Sequence, residues 1–372
     1  MPSNSSPLQI RLAGLALDSP VVLAAGTCGY VDELADVADL SPSGGIGAIV
    51  TKSITREPRE GNATWRIIEH RAGMMNAIGL ANVGLERFKS EIVPRIERFA
   101  GISTGGKPSL PPTPSLGEGA SERPPPAPSL GEGVSGRPVI IGSISGFSVD
   151  DYVAVAAAMD DVDAIPAVEL NVSCPNVKHG TEFGSEPALL RELISAVRPV
   201  LTRTRLFVKI SPTVMGYRGD RESGVVAICK AAIESGAPPA GPNQRPGADA
   251  LVIANTVPAM AIDVRTREPR LSHVTGGLSG PAIHPIAVKL VHDAYRGVCK
   301  ASSTPIVGLG GVMNWEDAAE FVLAGATAVG LGTALFVDPR AAKKIARGLA
   351  RWTADQKAPN IGALVGSVKL PA

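Results

Sequence analysis

The sequence predicts an α/β protein built as one (β/α)8 TIM barrel, on three observations. Short apolar runs alternate with helical patterns along nearly the whole chain, and there are eight such runs. Apolar residues make up 44% of the chain but aromatics only 4%, so the core must be built from Ala, Val, Ile and Leu, as in sheets covered by helices. Polar residues and glycines stand at the carboxyl end of every run, the rim on which a barrel carries its active site. A length of 372 residues fits one such domain with insertions.

In chain order, residues 8–17 alternate weakly around Gly14 and predict a small N-terminal hairpin. Strand patterns follow at 20–26, 45–52, 138–143, 164–171, 205–211, 248–255, 304–310 and 328–332. The clearest helical patterns lie at 85–99, 149–159, 187–200, 225–235, 285–298, 315–324 and 339–352, each with apolar residues spaced three and four apart. Eight β/α units in one chain mean a barrel before any other architecture.

Two stretches break the alternation. Residues 101–137 are rich in Pro, Gly and Ser and carry P-S-L-G-E-G twice, at 114–119 and 128–133. Such a composition buries too little apolar surface to offset its ordering entropy, so it predicts a disordered insertion within the domain. Gly131, Gly133 and Gly136 form a G-x-G-x-x-G there, but no strand precedes it and no helix follows, so it is no dinucleotide fingerprint. Residues 237–247 are a proline-rich widening of the turn before the sixth strand.

Composition excludes several function classes. A formal charge of +1 with mixed signs gives no footprint for nucleic acid or an anionic membrane. The opening M-P-S-N-S-S has no basic region followed by an apolar core, which predicts a cytoplasmic protein. The uncharged stretch 321–337 is broken by Gly325, Gly330 and Gly332 and reads as a helix end and a strand, not a membrane span. The four cysteines, Cys28, Cys174, Cys229 and Cys299, include no C-x-x-C pair, so any iron–sulfur cluster must sit on another chain.

The chemistry centres on A-V-E-L-N-V-S-C-P-N-V-K at 167–178, a strand ending in a loop with Asn171, Cys174 and Asn176. A lone cysteine beside a turn is more often a packing residue than a reactive one, but here it shares the rim with other polar groups. These are Thr27 after the first strand, Lys52 and Ser53 after the second, Ser143 and Ser145 after the third, Lys209 and Ser211 on the fifth, and Asn255 and Thr256 after the sixth. Gly310 and Gly311, then Gly332 and Thr333, form glycine-rich turns after the last two strands, the recurrent barrel site for a phosphate. Lys52 and Lys209 can serve as Schiff-base nucleophiles or as fixed cations, and Cys174 as nucleophile or general base.

These residues resemble the class 1 dihydroorotate dehydrogenases. The resemblance rests on E-L-N-V-S-C-P-N-V-K with T-K-S at 51–53, R-E-G-N at 59–62, G-M-M-N-A-I-G-L at 73–80, V-K-I-S-P at 208–212, A-N-T at 254–256 and T-G-G-L-S-G-P-A-I at 275–283. It implies an FMN-containing barrel that oxidises dihydroorotate to orotate in pyrimidine synthesis, with Cys174 as the base. It implies that substrate is held by Lys52, Asn76, Ala77, Ile78, Gly79, Leu80, Asn171, Asn255 and Thr256. FMN would be lined by Ala25, Lys52, Ser53, Ser143, Asn171, Lys209, Ala254, Gly280, Gly310, Gly311, Gly332 and Thr333. The T-G-G-L-S-G-P and N-A-I-G-L forms look like the B-type, which implies a partner subunit carrying FAD and a [2Fe-2S] cluster, a heterotetramer on a homodimer core, and NAD as acceptor.

The chain departs from the family pattern at Ala25, where serine is usual, at Ala63 and Trp65, where prolines are usual, and in a shorter H-G-T-E-F-G run at 179–184. Other readings are an A-type enzyme that passes electrons to fumarate, a dihydropyrimidine dehydrogenase-like flavoenzyme, a Schiff-base aldolase and a non-enzymatic scaffold. Asn176 weighs against the second, since histidine is expected there. The intact set of polar rim residues weighs against the last.

Overall fold

Eight short parallel strands close into one ring in the computed structural model, which describes residues 6–102, 136–173, 183–212, 224–236 and 246–371. The barrel strands are Val21–Leu23 (β1), Ala48–Val50 (β2), Val139–Ile144 (β3), Ala167–Asn171 (β4), Arg205–Ile210 (β5), Ala250–Ile253 (β6), Ile306–Leu309 (β7) and Ala328–Leu331 (β8). Each pairs with the next and β8 pairs with β1, so the ring leaves no free edge. Their side chains are buried on both faces, which is why they read as continuous apolar runs and not as alternating ones. Most are shorter than the sequence pattern, losing residues at one end or both, where the chain leaves the ladder for the connections.

The helices lie where the spacing predicts them. Val149–Asp160 and Trp315–Ala324 each open on a capping box, Ser148 with Asp151 and Asn314 with Asp317, which satisfies backbone donors at the first turn. The helix after β2 runs as Gly84–Arg87, a π turn at Phe88–Ile92 and Val93–Ala100. Pro187–Val197, Gly224–Glu234, His284–Ala294 and Ala341–Asp355 complete the outer layer. One β/α unit departs from the expected eight: β1 and β2 are joined by turns and a 3-10 turn at Pro42–Gly44. Gly44, Gly45 and Gly47 crowd that segment, and the backbone approaches there leave no room for a side chain.

At the amino-terminal end of the barrel, Ile10–Leu12 and Leu15–Leu17 form the expected hairpin. Its two-residue turn, Ala13 and Gly14, has φ of 52° and 87°, the left-handed pair that such turns require. A buried Arg198–Asp249 pair at 2.9 Å ties the helix before β5 to the start of β6. The stretch 321–337 resolves into the end of one helix, β8 and the short helix Ala334–Val337. Among the described residues, no helix is long and apolar enough to cross a membrane.

A four-stranded antiparallel sheet over the mouth has no counterpart in the sequence reading. Its order is Val257–Met260, Thr275–Ser279, Gly73–Asn76, Ile67–His70. Two of these strands arise in the connection after β2 and two in the connection after β6, on opposite sides of the ring, so their pairing bridges the opening.

The expected insertion lies almost wholly outside the described residues, but its flanks are held together. The Arg137 guanidinium donates to the carbonyls of Arg98 and Phe99 at the end of the preceding helix. Replacing residues 103–135 by a Gly/Ser linker of about four residues is therefore expected to leave the barrel folded, with loop closure easier by about 2 kcal/mol. Circular dichroism and a denaturant titration check this; loss of the cooperative transition would show that the segment contributes to the core.

Candidate active site

The carboxyl ends of the strands and the sheet above them enclose a cavity of about 230 Å³. A wider cleft of about 600 Å³ opens at the other end of the barrel, lined by Arg11, Arg205, Asp249 and Lys300 among others. Barrel chemistry sits at the carboxyl rim, so the smaller cavity is the candidate site.

Its floor is a hydrogen-bonded set of amides. Asn255 Nδ2 donates to Asn171 Oδ1 and to Ser173 Oγ, each at 3.0 Å, and Asn255 Oδ1 accepts the Thr256 N–H at 2.8 Å. The Tyr152 hydroxyl donates to the Asn171 carbonyl at 2.6 Å and fixes the end of β4 from behind. These bonds hold both amides in place where Asn171, Asn255 and Thr256 line the cavity.

Two lysines supply charge. Lys209 and Lys52 line the same cavity from β5 and from the loop after β2. Burial, and then the nearby Arg66 guanidinium, push the Lys52 ammonium below the ordinary lysine range. An anionic ligand would offset both. Ser53 Oγ lies 2.8 Å from Ser143 Oγ, and the Ser143 N–H donates to Thr51 Oγ1, so these side chains lock β2 to β3 beside the lysine.

The glycine turns after β7 and β8 form the far wall. Gly310 and Gly311 have φ of 144° and 70°, and a Cβ on Gly311 would stand 2.6 Å from the Gly280 carbonyl oxygen. His284 Nδ1 donates to the Gly310 carbonyl at 2.9 Å, which orients that peptide. Near Gly332 the space for a Cβ is open, with the Thr27 side chain the nearest group at 3.8 Å. Bare backbone on an open, electropositive cavity suits an anion such as phosphate.

The roof comes from the mouth sheet. Ile67 and Met74 from the sheet and Ile78 and Leu80 from the loop after it are its apolar face, with Asn76 and Ser279 as polar points. Thr333 Oγ1 donates to Ser279 Oγ at 2.7 Å, and Ser279 Oγ donates to the Met74 carbonyl at 3.2 Å, which ties the roof to the far wall.

Of the residues singled out in the sequence, Ala25, Lys52, Ser53, Asn76, Ile78, Leu80, Asn171, Lys209, Ala254, Asn255, Thr256, Gly280, Gly310, Gly311, Gly332 and Thr333 all line this cavity. Ser143, Ala77 and Gly79 do not: Ser143 is buried behind Ser53, and Ala77 and Gly79 face the loop around Asn62. Cys174 and Asn176 fall outside the described residues; Ser173, just before them, stands on the floor. Met74 and Ser279 also line the cavity and were visible only as members of motifs, while Ile67 and Phe336 carried no signal. The other described cysteines, Cys28, Cys229 and Cys299, are buried, and burial with the nearby Glu33 carboxylate pushes the Cys28 thiol up to about 12.

Fold and site together define a barrel enzyme for a polar ligand with an anionic group, held between an amide floor and an apolar roof. Comparison with known proteins names the family. The dihydroorotate dehydrogenase family pattern matches residues 7–235 and 240–352. A relative from Pelobacter propionicus, named dihydroorotate dehydrogenase B (NAD(+)), catalytic subunit, is 37% identical over 97% of this chain and 98% of its own. One of the same name from Desulforudis audaxviator is 39% identical over 96% of each chain. One from Solibacter usitatus, 38% identical over 97% of this chain and 98% of its own, is named putative dihydroorotate dehydrogenase A (fumarate). The crystal structure of the Eimeria tenella enzyme with ferulenol has the same fold, with a TM-score of 0.69 at 20% identity over 99% of this chain and 90% of that one. This chain belongs to the dihydroorotate dehydrogenase family and is an oxidoreductase.

The glycine wall gives a direct test. Gly311→Ala is expected to cost about 1–3 kcal/mol of stability, from the left-handed backbone and the contact with the Gly280 carbonyl. Urea unfolding measures it; an unchanged midpoint would mean that the turn relaxes without strain.

Proposed function

We propose that this chain oxidises dihydroorotate to orotate, the step that creates the C5=C6 double bond of the pyrimidine ring, with FMN as its cofactor. The observation that carries the reading is the convergence of Lys52, Asn171, Lys209 and Asn255 on one cavity at the rim of a barrel that the family pattern matches along nearly its whole length. FMN fits the donor set: bare glycine backbone at Gly310, Gly311 and Gly332 for its phosphate, and lysine, serine and amide groups for its polar ring. When bound, it accepts the hydride that leaves C6 of the substrate.

The chain's own residues divide the remaining work. Gly310, Gly311, Gly332 and Thr333 would hold the phosphate, and Ala25, Ser53, Lys209, Ala254 and Gly280 would line the rest of the cofactor, with Ser143 supporting Ser53 from behind. Lys52 meets the substrate carboxylate, a contact that favours its charged form. Asn76, Asn171, Asn255 and Thr256 bind the ring amides and carbonyls, with the backbone from Ala77 to Leu80 closing over them. Cys174 removes the C5 proton; an ordinary thiol pKa of about 8.5 suits a base working at mildly alkaline pH.

Electrons must then leave the site. With no C-x-x-C pair in the chain, we assign the FAD and [2Fe-2S] cluster to a separate subunit that passes electrons to NAD, in a cytoplasmic heterotetramer built on a homodimer of this chain. The names of the Pelobacter and Desulforudis relatives support this. The Solibacter relative keeps fumarate as the second reading.

Purified protein is expected to be yellow and to bleach anaerobically with dihydroorotate; a colourless protein, or one that dihydroorotate does not bleach, would sink the reading. Cys174→Ala should retain FMN and slow bleaching by a factor on the order of 10²–10⁴. Unchanged bleaching at neutral pH would remove Cys174 from the mechanism. The isolated chain is expected to reduce artificial acceptors but not NAD, with NAD reduction appearing when the partner subunit is added. Rapid fumarate reduction by the isolated chain would overturn the NAD assignment in favour of the fumarate-linked type.

A further inference from the structure

Two residues before Asn171, the β4 side chain of Glu169 lies inside the barrel, with 2% of its surface exposed. A void of about 10 Å³ beside it is lined by apolar side chains that include Val50, Ile141, Phe207, Val252 and Val307, contributed by five other strands. Such a space is at the lower limit for one water and lacks the polar partners that a water needs. Among the described residues, Glu169 Oε1 accepts no hydrogen bond. The cation within reach is Lys209, with Nζ 4.0 Å from that oxygen. Burial raises the Glu169 pKa, and Lys209 pulls it back.

As a stabilising element this pair is poor. Taking a carboxylate into an apolar interior costs several kcal/mol, and apolar residues of the same size are often as good or better there. Its position is informative instead: Lys209 lines the cavity floor, and Glu169 lies beneath it in the ring.

We propose that Glu169 is a positioning residue, whose carboxylate holds the Lys209 ammonium on the floor of the site and offsets its charge, so that the pair sets the reduction potential of bound FMN. This rests on the FMN reading given above. A cation beside the flavin favours the form carrying more electrons, and an anion just beneath that cation weakens the effect. Glu169→Gln leaves the lysine uncompensated while it keeps access to water through the cavity. The bound flavin therefore becomes easier to reduce.

The test is a potentiometric titration of FMN-loaded protein at pH 7 for the unaltered chain, Glu169→Gln and Glu169→Asp, with thermal unfolding of the FMN-free forms. In Glu169→Gln the potential is expected to rise by at least the equivalent of tenfold in the oxidised-to-reduced ratio, about 30 mV for a two-electron couple. Glu169→Asp stays within threefold of the unaltered protein, and FMN-free Glu169→Gln melts no lower than the unaltered chain. A Glu169→Gln potential within twofold of the unaltered one overturns the proposal, whatever the melting temperature. So does an equal shift in both variants. Should Glu169→Gln fail to retain FMN, dissociation constants decide: at least tenfold weakening against less than threefold in Glu169→Asp supports the role of charge, and equal weakening overturns it. An unaltered protein that binds no FMN defeats the functional reading itself, a failure seen before any variant is made.

Discussion

Closure of eight parallel strands into a ring is the constraint on which the rest of this structure depends. A buried parallel strand has no water to satisfy its backbone, so every N–H and C=O must find a neighbouring strand. The last pairing, Val329 with Val21 through Leu331 with Leu23, removes the remaining edges, and the Ala24 N–H extends it to the Leu331 carbonyl at 2.8 Å. Because all strands point the same way, all their carboxyl ends meet on one rim. Groups distant in sequence, such as Ser53 and Ser143 or Asn171 and Asn255, come within hydrogen-bond reach only through that closure.

The mouth sheet turns an open rim into an enclosed site. Its halves come from connections on opposite sides of the ring and meet through Gly277 opposite Asn76, Leu278 opposite Met75 and Ser279 opposite Met74. The glycines there have a steric reason: a Cβ on Gly277 would lie 2.0 Å from Thr256 Oγ1, and one on Gly73 would lie 2.0 Å from the Ser279 carbonyl oxygen. Roof and floor can approach only where side chains are missing. The cavity between them has apolar side chains above and hydrogen-bonded amides below.

Charge is distributed as unevenly as shape. The chain as a whole is nearly neutral, yet Lys52 and Lys209 both face one small cavity. Among the described residues no carboxylate lines that cavity, so the cations favour anionic ligands there, while Glu169 counters one lysine from inside the barrel. The relatives named for NAD and the one named for fumarate are about equally similar to this chain, 37–39% identical. Overall identity therefore does not separate the two electron routes.

Much of the fold was legible because buried parallel strands announce themselves as apolar runs, and because helices such as Trp315–Ala324 show apolar residues three and four apart. The rim residues Lys52, Asn171, Lys209, Asn255 and the glycine turns could be named as well, since barrel topology puts every strand end on one surface. The connection between β1 and β2 was less legible: eight β/α units were expected, and here turns replace the helix. The mouth sheet was not legible at all, for its strands are only partly buried and two of them, Gly73–Asn76 and Thr275–Ser279, carry glycine. Each half is a local pairing, 67–70 with 73–76 and 257–260 with 275–279, and the two become one sheet only where Gly277–Ser279 meets Met74–Asn76, about two hundred residues away in sequence. For the same reason the sequence did not show that Ile67 and Phe336 line the cavity while Ala77, Gly79 and Ser143 stand off it. A one-dimensional pattern reports which residues can do chemistry; which of them face the same few hundred cubic ångströms was decided by the packing of roof on floor.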